Sequence, residues 1–418
     1  MVNNLIAFLR LCEADPKVFI EECLSIKTKD QKTVLLKFNT AQSMIYDRIK
    51  MLREKKKPIR MIILKARQEG VSTFCEGLIF EKTVRQENTN SLIVAHEPES
   101  TDAIFAMSKL FYDMLPIDVK PMRRYDNKKQ MVFENPDQKA RADDPGLRSR
   151  MVISTADKVK IGRGLTLHNF HGSEVAFWKN AKELMLSVMQ AIPSLPTTAV
   201  FLESTANGFG GDGEYFYQMV QDALAGKNEF ELIFLPWHLM PEYSQPFANE
   251  TERKSFGETL DGYEKELLAK ENLRYEQLKW RRWAIQNLCG GDLDKFKQEY
   301  PATIEESFVA SSKAVIPKQY IEAQGKFTRQ PIRKLDDILI YEEPNRNHFY
   351  SLGADPSEGI GQDDSAITVI DKMTGREVGF YIGQIQPDLF AKKIKQTAEL
   401  FNNALAVIEI NNHGLAVI

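Results

Sequence analysis

Five short apolar runs lie between Arg60 and Trp237: Met61–Leu64, Ser91–Ala95, Met151–Ser154, Thr198–Leu202 and Leu232–Leu235. Each has the length of a strand covered on both faces rather than of a helix. Helical patterns at Ser72–Arg85, Ser100–Leu115 and Ala181–Ala191 fall between some of them. This alternation predicts an α/β fold with a mostly parallel sheet under helices, in which a ligand sits at the C-terminal edge of the strands. Residues 241–340 depart from the pattern. They are rich in charge and aromatics and read as a helical linker subdomain, as in "YEKELLAKENLRYEQLKWRRWAIQNL". A second α/β pattern follows, with strands in "HFYSLGAD", "SAITVID" and "REVGFYIGQI", a helix in "PDLFAKKIKQTAELFNN" and a strand in "ALAVIEI". The expected division is therefore 1–240, 241–340 and 341–418.

Composition sets the class. A chain of 418 residues with 43% hydrophobic and 27% charged residues is globular rather than disordered. The net charge of −3 does not mark a nucleic-acid binder, but residues 120–163 hold 12 Lys/Arg against 6 Asp/Glu. Such a patch suits a phosphate backbone, or simply a solvated face. The four cysteines, Cys12, Cys23, Cys75 and Cys289, lack metal-ligand spacing and suit reduced thiols in a cytosol. No apolar run approaches the roughly 20 residues of a membrane span.

The stretch "LKARQEGVST" follows the first apolar run and opens a helical pattern. Laid on the phosphate cradle G-x-x-x-x-G-K-[ST], Gly70 fits the second glycine and Ser72 the hydroxyl, while Val71 stands at the lysine and Lys65 at the first glycine. Backbone N–H groups at a helix N-terminus can hold phosphate, with cations supplied from any position that reaches. Lys65 and Arg67 flank the loop, so the lysine has moved to its start. Two further segments fall at strand ends. "HGSEVAFW" offers Glu174 as the carboxylate that orients an attacking water, with Ser173 where an Asp usually supports Mg²⁺. "LESTANG" ends in Ser204-Thr205-Ala206-Asn207, able to sense a terminal phosphate through hydrogen bonds.

In this order and spacing, R-Q-x-G-x-S-T, R-G-x-T, S-E-x-A-F-W and S-T-A-N-G resemble the large terminase subunits of tailed double-stranded DNA phages. The resemblance implies a P-loop ATPase of the additional-strand (ASCE) type followed by a ribonuclease-H-like nuclease. It implies that Lys65, Ala66, Arg67, Gln68, Glu69, Gly70, Val71, Ser72 and Thr73 bind ATP, with Ser72 on Mg²⁺. Glu174 becomes the catalytic carboxylate, Ser204–Asn207 the coupling motif, and Gln42, in "FNTAQSMIYDRI", the contact to adenine. Arg163 becomes a finger that reaches a neighbouring subunit's ATP, which requires a homo-oligomeric ring. Implied partners are double-stranded DNA, the small terminase subunit and the portal of the procapsid, in the host cytoplasm and with no membrane.

The second pattern carries Asp355 and Glu409 at the ends of its first and fourth strands, which are neighbours in a ribonuclease-H-like sheet. Two close carboxylates bind paired Mg²⁺ or Mn²⁺ for phosphodiester cleavage. Asp363 and Asp364, in the loop between, are weaker candidates. The family uses a further acidic ligand near the end of this domain, so the sequence is expected to be a truncated form with impaired cleavage. Two other readings predict different behaviour. A helicase or repair ATPase would depend on single strands and unwind duplex, and a binding module with a decayed loop would not turn over ATP.

Overall fold

The computed structural model describes residues 2–157, 164–308, 324–325, 327–357, 364–410 and 417. The chain divides into two compact units, Met1–Lys313 and Ala314–Ile418. The first begins with α1 (Val2–Ala14), α2 (Pro16–Cys23), an antiparallel pair β1 (Ser25–Lys27) and β2 (Thr33–Leu35), and α3 (Thr40–Glu54). Then come β3 (Ile59–Lys65), α4 (Val71–Arg85), β4 (Asn90–Ala95), α5 (Pro98–Met114), β5 (Tyr125–Asp126) and β6 (Gln130–Phe133). The sheet is completed by β7 (Ser149–Thr155), β8 (Asn169–Ser173), β9 (Ala199–Ser204) and β10 (Glu231–Leu235), with α6 (Ala181–Ala191) and α7 (Glu214–Leu224) between them.

The strands run in the order β10-β3-β9-β8-β4-β7-β6-β5, with β10 through β7 all parallel. β3 lies second from the edge, between β10 and β9, and all seven of its residues are buried, which explains its unbroken apolar reading. β9 lies between β3 and β8, so the phosphate-loop strand and the Glu174 strand are separated by one additional strand. This is the arrangement the additional-strand class implies. One core packs α3, α4 and α5 on one face of the sheet; another packs α6 and α7 on the opposite face. α4 is buried nearly all round, as a central helix must be.

The stretch 241–340 does not form one subdomain. α8 (Glu250–Glu258), α9 (Gly262–Glu271), α10 (Tyr275–Asn287), α11 (Leu293–Glu299) and α12 (Ile304–Ser307) belong to the first unit. Trp280 stacks on Trp237 at 5.1 Å and on Tyr243 at 4.4 Å, and with Phe296 and Tyr300 it joins the core of α3 to α5. The end of the stretch forms a hairpin, β11 (Arg333–Leu335) and β12 (Ile338–Ile340), on the second sheet, because Ile338 and Ile340 are fully buried there.

The second unit continues with β13 (Tyr350–Asp355), β14 (Ser365–Asp371), β15 (Glu377–Gly383), α13 (Pro387–Leu400) and β16 (Leu405–Ile408). Its order is β11-β12-β15-β14-β13-β16, with β16 parallel to β13. The first and fourth strands of the β-β-β-α-β pattern are therefore neighbours, as ribonuclease-H-like topology requires.

Candidate active site

The loop from β3 to α4 opens toward the C-terminal edge of the sheet. Gln68 (φ 58°) and Gly70 (φ 75°) both adopt left-handed backbone, and α4 starts at Val71 with no side chain capping its first turn. Uncapped N–H groups next to alternating left-handed residues form an anion cradle. A Cβ on Gly70 would lie 2.8 Å from Gln42 Nε2, so glycine is required there for space as well as for φ. Gln42 is buried and holds the loop: Nε2 donates to the Gly70 carbonyl at 2.8 Å, and Oε1 accepts from the Asn39 N–H at 3.0 Å in the capping box of α3. One amide hydrogen remains after these contacts.

Lys65 ends β3 and is buried. Its Nζ lies 2.9 Å from Glu174 Oε1 and 3.2 Å from Glu203 Oε2. Burial draws the ammonium down, yet the two carboxylates hold it above the ordinary lysine range. Arg67 points elsewhere: it is 59% exposed, and its Nε pairs with Glu299 Oε2 at 2.7 Å. Its N–H donates to the Glu299 carbonyl at 3.0 Å, and its carbonyl accepts from Tyr243 Oη at 2.5 Å. The Thr73 hydroxyl donates to Met107 Sδ at 3.4 Å and so faces α5. Ala66 donates its N–H to the Leu235 carbonyl. Glu69 is buried with no hydrogen-bond partner on either carboxylate oxygen, and burial pushes it up to about 9.

Glu174 follows β8 in a left-handed conformation, φ 55° and ψ 48°, an uncommon state for a side-chain-bearing residue and one concentrated at functional sites. Gly172 before it lets Trp178 close over the strand, since a Cβ there would meet the indole at 2.9 Å. The Glu174 carboxylate is 27% exposed. Its Oε2 accepts from Ser204 Oγ at 3.3 Å and from the Thr205 N–H at 3.4 Å. Asn207 donates to the Ala176 carbonyl at 3.0 Å and accepts from Gln298 Nε2, on α11, at 3.4 Å. Ala206 is buried beneath the turn. The segment read as a coupling motif thus holds the carboxylate directly.

Behind these residues runs a buried polar chain. Glu203 Oε1 accepts from Ser72 Oγ and from Ser173 Oγ, each at 2.7 Å, and lies 3.3 Å from His171 Nε2. His171 Nδ1 lies 2.7 Å from Glu76 Oε1, and Glu76 Oε2 accepts from Ser108 Oγ at 2.8 Å. Burial lowers His171, but hydrogen bonds to Glu203 and Glu76 outweigh it and raise it to about 9. Burial likewise pushes Glu203 up, but Lys65 and His171 overcome this and hold it well below the usual carboxylate range.

At the second sheet, β13 and β16 pair in parallel with Ala354 opposite Ile408, and the Glu409 N–H donates to the Ala354 carbonyl at 3.0 Å. Asp355 and Glu409 are therefore adjacent at one edge, and both are exposed. Asp364 is exposed at the start of β14. Among the described residues no group of three or more acidic, His or Cys side chains gathers as a metal cluster. Arg163 and Asp363 lie outside the described residues.

Solved structures that this chain is similar to include phage large terminases. The HK97 bacteriophage large terminase is 15% identical over 94% of this chain and 73% of its own, with a TM-score of 0.48. The Thermus phage P74-26 large terminase ATPase domain is 19% identical over 63% of this chain and 92% of its own, with a TM-score of 0.39. The magnesium-bound large terminase nuclease of thermophilic phage G20c is 24% identical over 21% of this chain, with a TM-score of 0.20. This chain spans 42% and 46% of the length of two G20c terminase nuclease structures. No family model matches the sequence.

Sequence reasoning passed over Glu203, His171 and Glu76. The signal was present in part: "AVFLES" is a strand of apolar residues with one acid near its end, and every residue of it is buried. β8 was read only as a strand end because Asn169, His171 and Ser173 spoil its apolar run. All three are buried and partnered.

Proposed function

We propose that this chain is a terminase-type motor subunit: an ATPase that drives double-stranded DNA into a procapsid, joined to a metal-dependent endonuclease that cuts concatemeric DNA. The observation that carries the reading is one carboxylate held from two sides. Glu174 contacts the moved lysine through one oxygen and the Ser204–Thr205 turn through the other. A residue that polarises water is thereby tied both to the phosphate loop and to a loop able to respond when the terminal phosphate leaves.

The residues fit ATP with Mg²⁺. Oxygen donors from Ser72, Glu174 and Glu203 gather at the N-terminus of α4, and a hard cation takes oxygen ligands. Bound there, Mg²⁺ would neutralise charge developing between the β- and γ-phosphates. Ser72 would be its first protein ligand. Lys65 keeps one of its three N–H donors for phosphate after meeting two carboxylates. Arg67 serves the nucleotide only by leaving Glu299, and the free amide hydrogen of Gln42 is the one for adenine. Arg163 acts on a neighbouring subunit's ATP in a ring. At the second site Asp355 and Glu409 hold Mg²⁺ or Mn²⁺. Motion reaches the helical region through α11, which touches both Arg67 and Asn207. The small terminase subunit and the portal are the remaining partners, and the host cytoplasm is the compartment.

The test is ATP turnover with duplex DNA, for the wild type, Lys65→Ala and Glu174→Ala. Duplex-stimulated turnover, lost in both variants and without strand separation, supports the reading. An inactive wild type, or a Lys65→Ala variant as active as wild type, sinks it. Dependence on single strands with unwinding makes the chain a helicase instead.

A further inference from the structure

We infer that Glu203 is the positioning carboxylate for the nucleotide's metal, reaching Ser72 from β9 in place of the acid that Ser173 lacks on β8. The inference rests on the ATP reading above. Ser173 and Glu203 are cross-strand partners in the parallel β8–β9 pair. Neighbouring strands lie about 4.8 Å apart, so a carboxylate missing from one strand is regained by a longer side chain on the next. Ser173 has not become a bystander. Its hydroxyl donates to the same Glu203 oxygen that accepts from Ser72, each at 2.7 Å.

The consequence for Ser72 is chemical. A hydroxyl has one hydrogen and two lone pairs. Spending the hydrogen on Glu203 turns the lone pairs toward the mouth of the loop and makes the oxygen a better cation ligand, as an outer carboxylate does for metal-binding side chains generally. Glu203 is itself held by Lys65 at 3.2 Å and His171 at 3.3 Å, His171 by Glu76, and Glu76 by Ser108. An acid with no exposed surface, in a strand whose other inward residues are apolar, has no role in packing that a leucine could not fill. Its contacts reach Lys65, His171, Ser173 and Ser72, and of the two hydroxyls among them Ser72 is the one on the phosphate loop, placed to meet a cation.

The experiment measures binding of a fluorescent, non-hydrolysable ATP analogue to the full chain, with Mg²⁺ and with excess EDTA. Wild type, Glu203→Gln and the double variant Ser173→Asp/Glu203→Ser are compared. In the wild type Mg²⁺ tightens binding. Glu203→Gln is expected to lose that tightening by about 10- to 100-fold, read as the ratio of its affinities with and without Mg²⁺. The double variant, with the carboxylate returned to β8, is expected to recover the Mg²⁺ dependence, a rescue that a merely structural role would not give. Glu203→Gln with wild-type Mg²⁺ dependence overturns the inference. So does a double variant that folds as the wild type by circular dichroism yet stays insensitive to Mg²⁺. Should Glu203→Gln fail to fold, the double variant decides alone. A wild type that binds no nucleotide in either condition sinks the ATP reading itself, and this inference with it.

Discussion

The two candidate sites sit on two sheets and are built in opposite ways. At the first, Lys65, Glu203, His171 and Glu76 are buried, and each is answered by a partner of the other charge. At the second, Asp355 and Glu409 stand exposed at one sheet edge, brought together by the pairing of β13 with β16. Burial makes the difference. A charge taken out of water must be met by protein groups, so the first site is wired into the core and its function cannot be altered without touching stability. Exposed acids need less compensation from the fold than buried ones, so the second edge can change its chemistry with little effect on stability.

The largest expected effect breaks this contrast if it fails. Lys65→Ala strands two carboxylates, one of them fully buried, and should cost about 3–5 kcal/mol, read as a lowered midpoint in thermal or urea unfolding. Asp355→Asn should abolish Mn²⁺-dependent cleavage where cleavage is seen and leave the unfolding midpoint of the second unit unchanged. Equal losses of stability in the two variants would erase the distinction.

A pH series sharpens it. His171 is raised from 6.5 to about 9, so its contribution is complete below about 6.5 and is lost as pH rises through 9. Glu69, raised from 4.5 to about 9, stays neutral in the fold while its unfolded form ionises. Both make folding take up a proton between pH 6.5 and 9, opposed above about 8 by Lys82, which burial lowers to about 8. Stability of the first unit should therefore fall with rising pH, by about 1.4 kcal/mol per pH unit for each proton. Glu69→Gln should halve the slope in urea unfolding and leave the variant more stable than wild type at pH 8.5. A flat profile would contradict the buried chain.

Smaller effects follow. Gly70→Ala forces a side chain into left-handed backbone against Gln42 and should cost about 1–3 kcal/mol, with weaker ATP-analogue binding. Trimming Gln298 to Ala removes a long 3.4 Å bond to Asn207. It should cost about 0.5 kcal/mol, and its clearer effect should be a lower stimulation of ATP turnover by DNA.

Much of the fold was legible because strand and helix periods are local. Met61–Leu64 became β3, Ala181–Ala191 became α6 to the residue, and the β-β-β-α-β order placed β13 beside β16. β8 was read only as a strand end before Glu174 and not as one of the apolar runs, because buried polar residues do not announce themselves in an apolar pattern; only their partners, 30 to 95 residues away, make them tolerable. The hairpin β11–β12 escaped for a related reason, since its burial depends on β15, which comes later in the chain.

By itself the sequence determined most of the helices and the apolar strands, the loop that receives α4, and the residue types available at their ends, because these follow from spacing and backbone preference. Tertiary structure alone decided which of those residues meet. Adjacent parallel strands set Ser173 beside Glu203 and Ile63 beside Glu203. They thereby carried a carboxylate on β9 to the moved lysine and the hydroxyl of the phosphate loop, more than a hundred residues away in sequence, in one cluster. Sequence distance bears no relation to that meeting. Strand order does, and strand order is chosen by how the apolar faces of the whole sheet are covered.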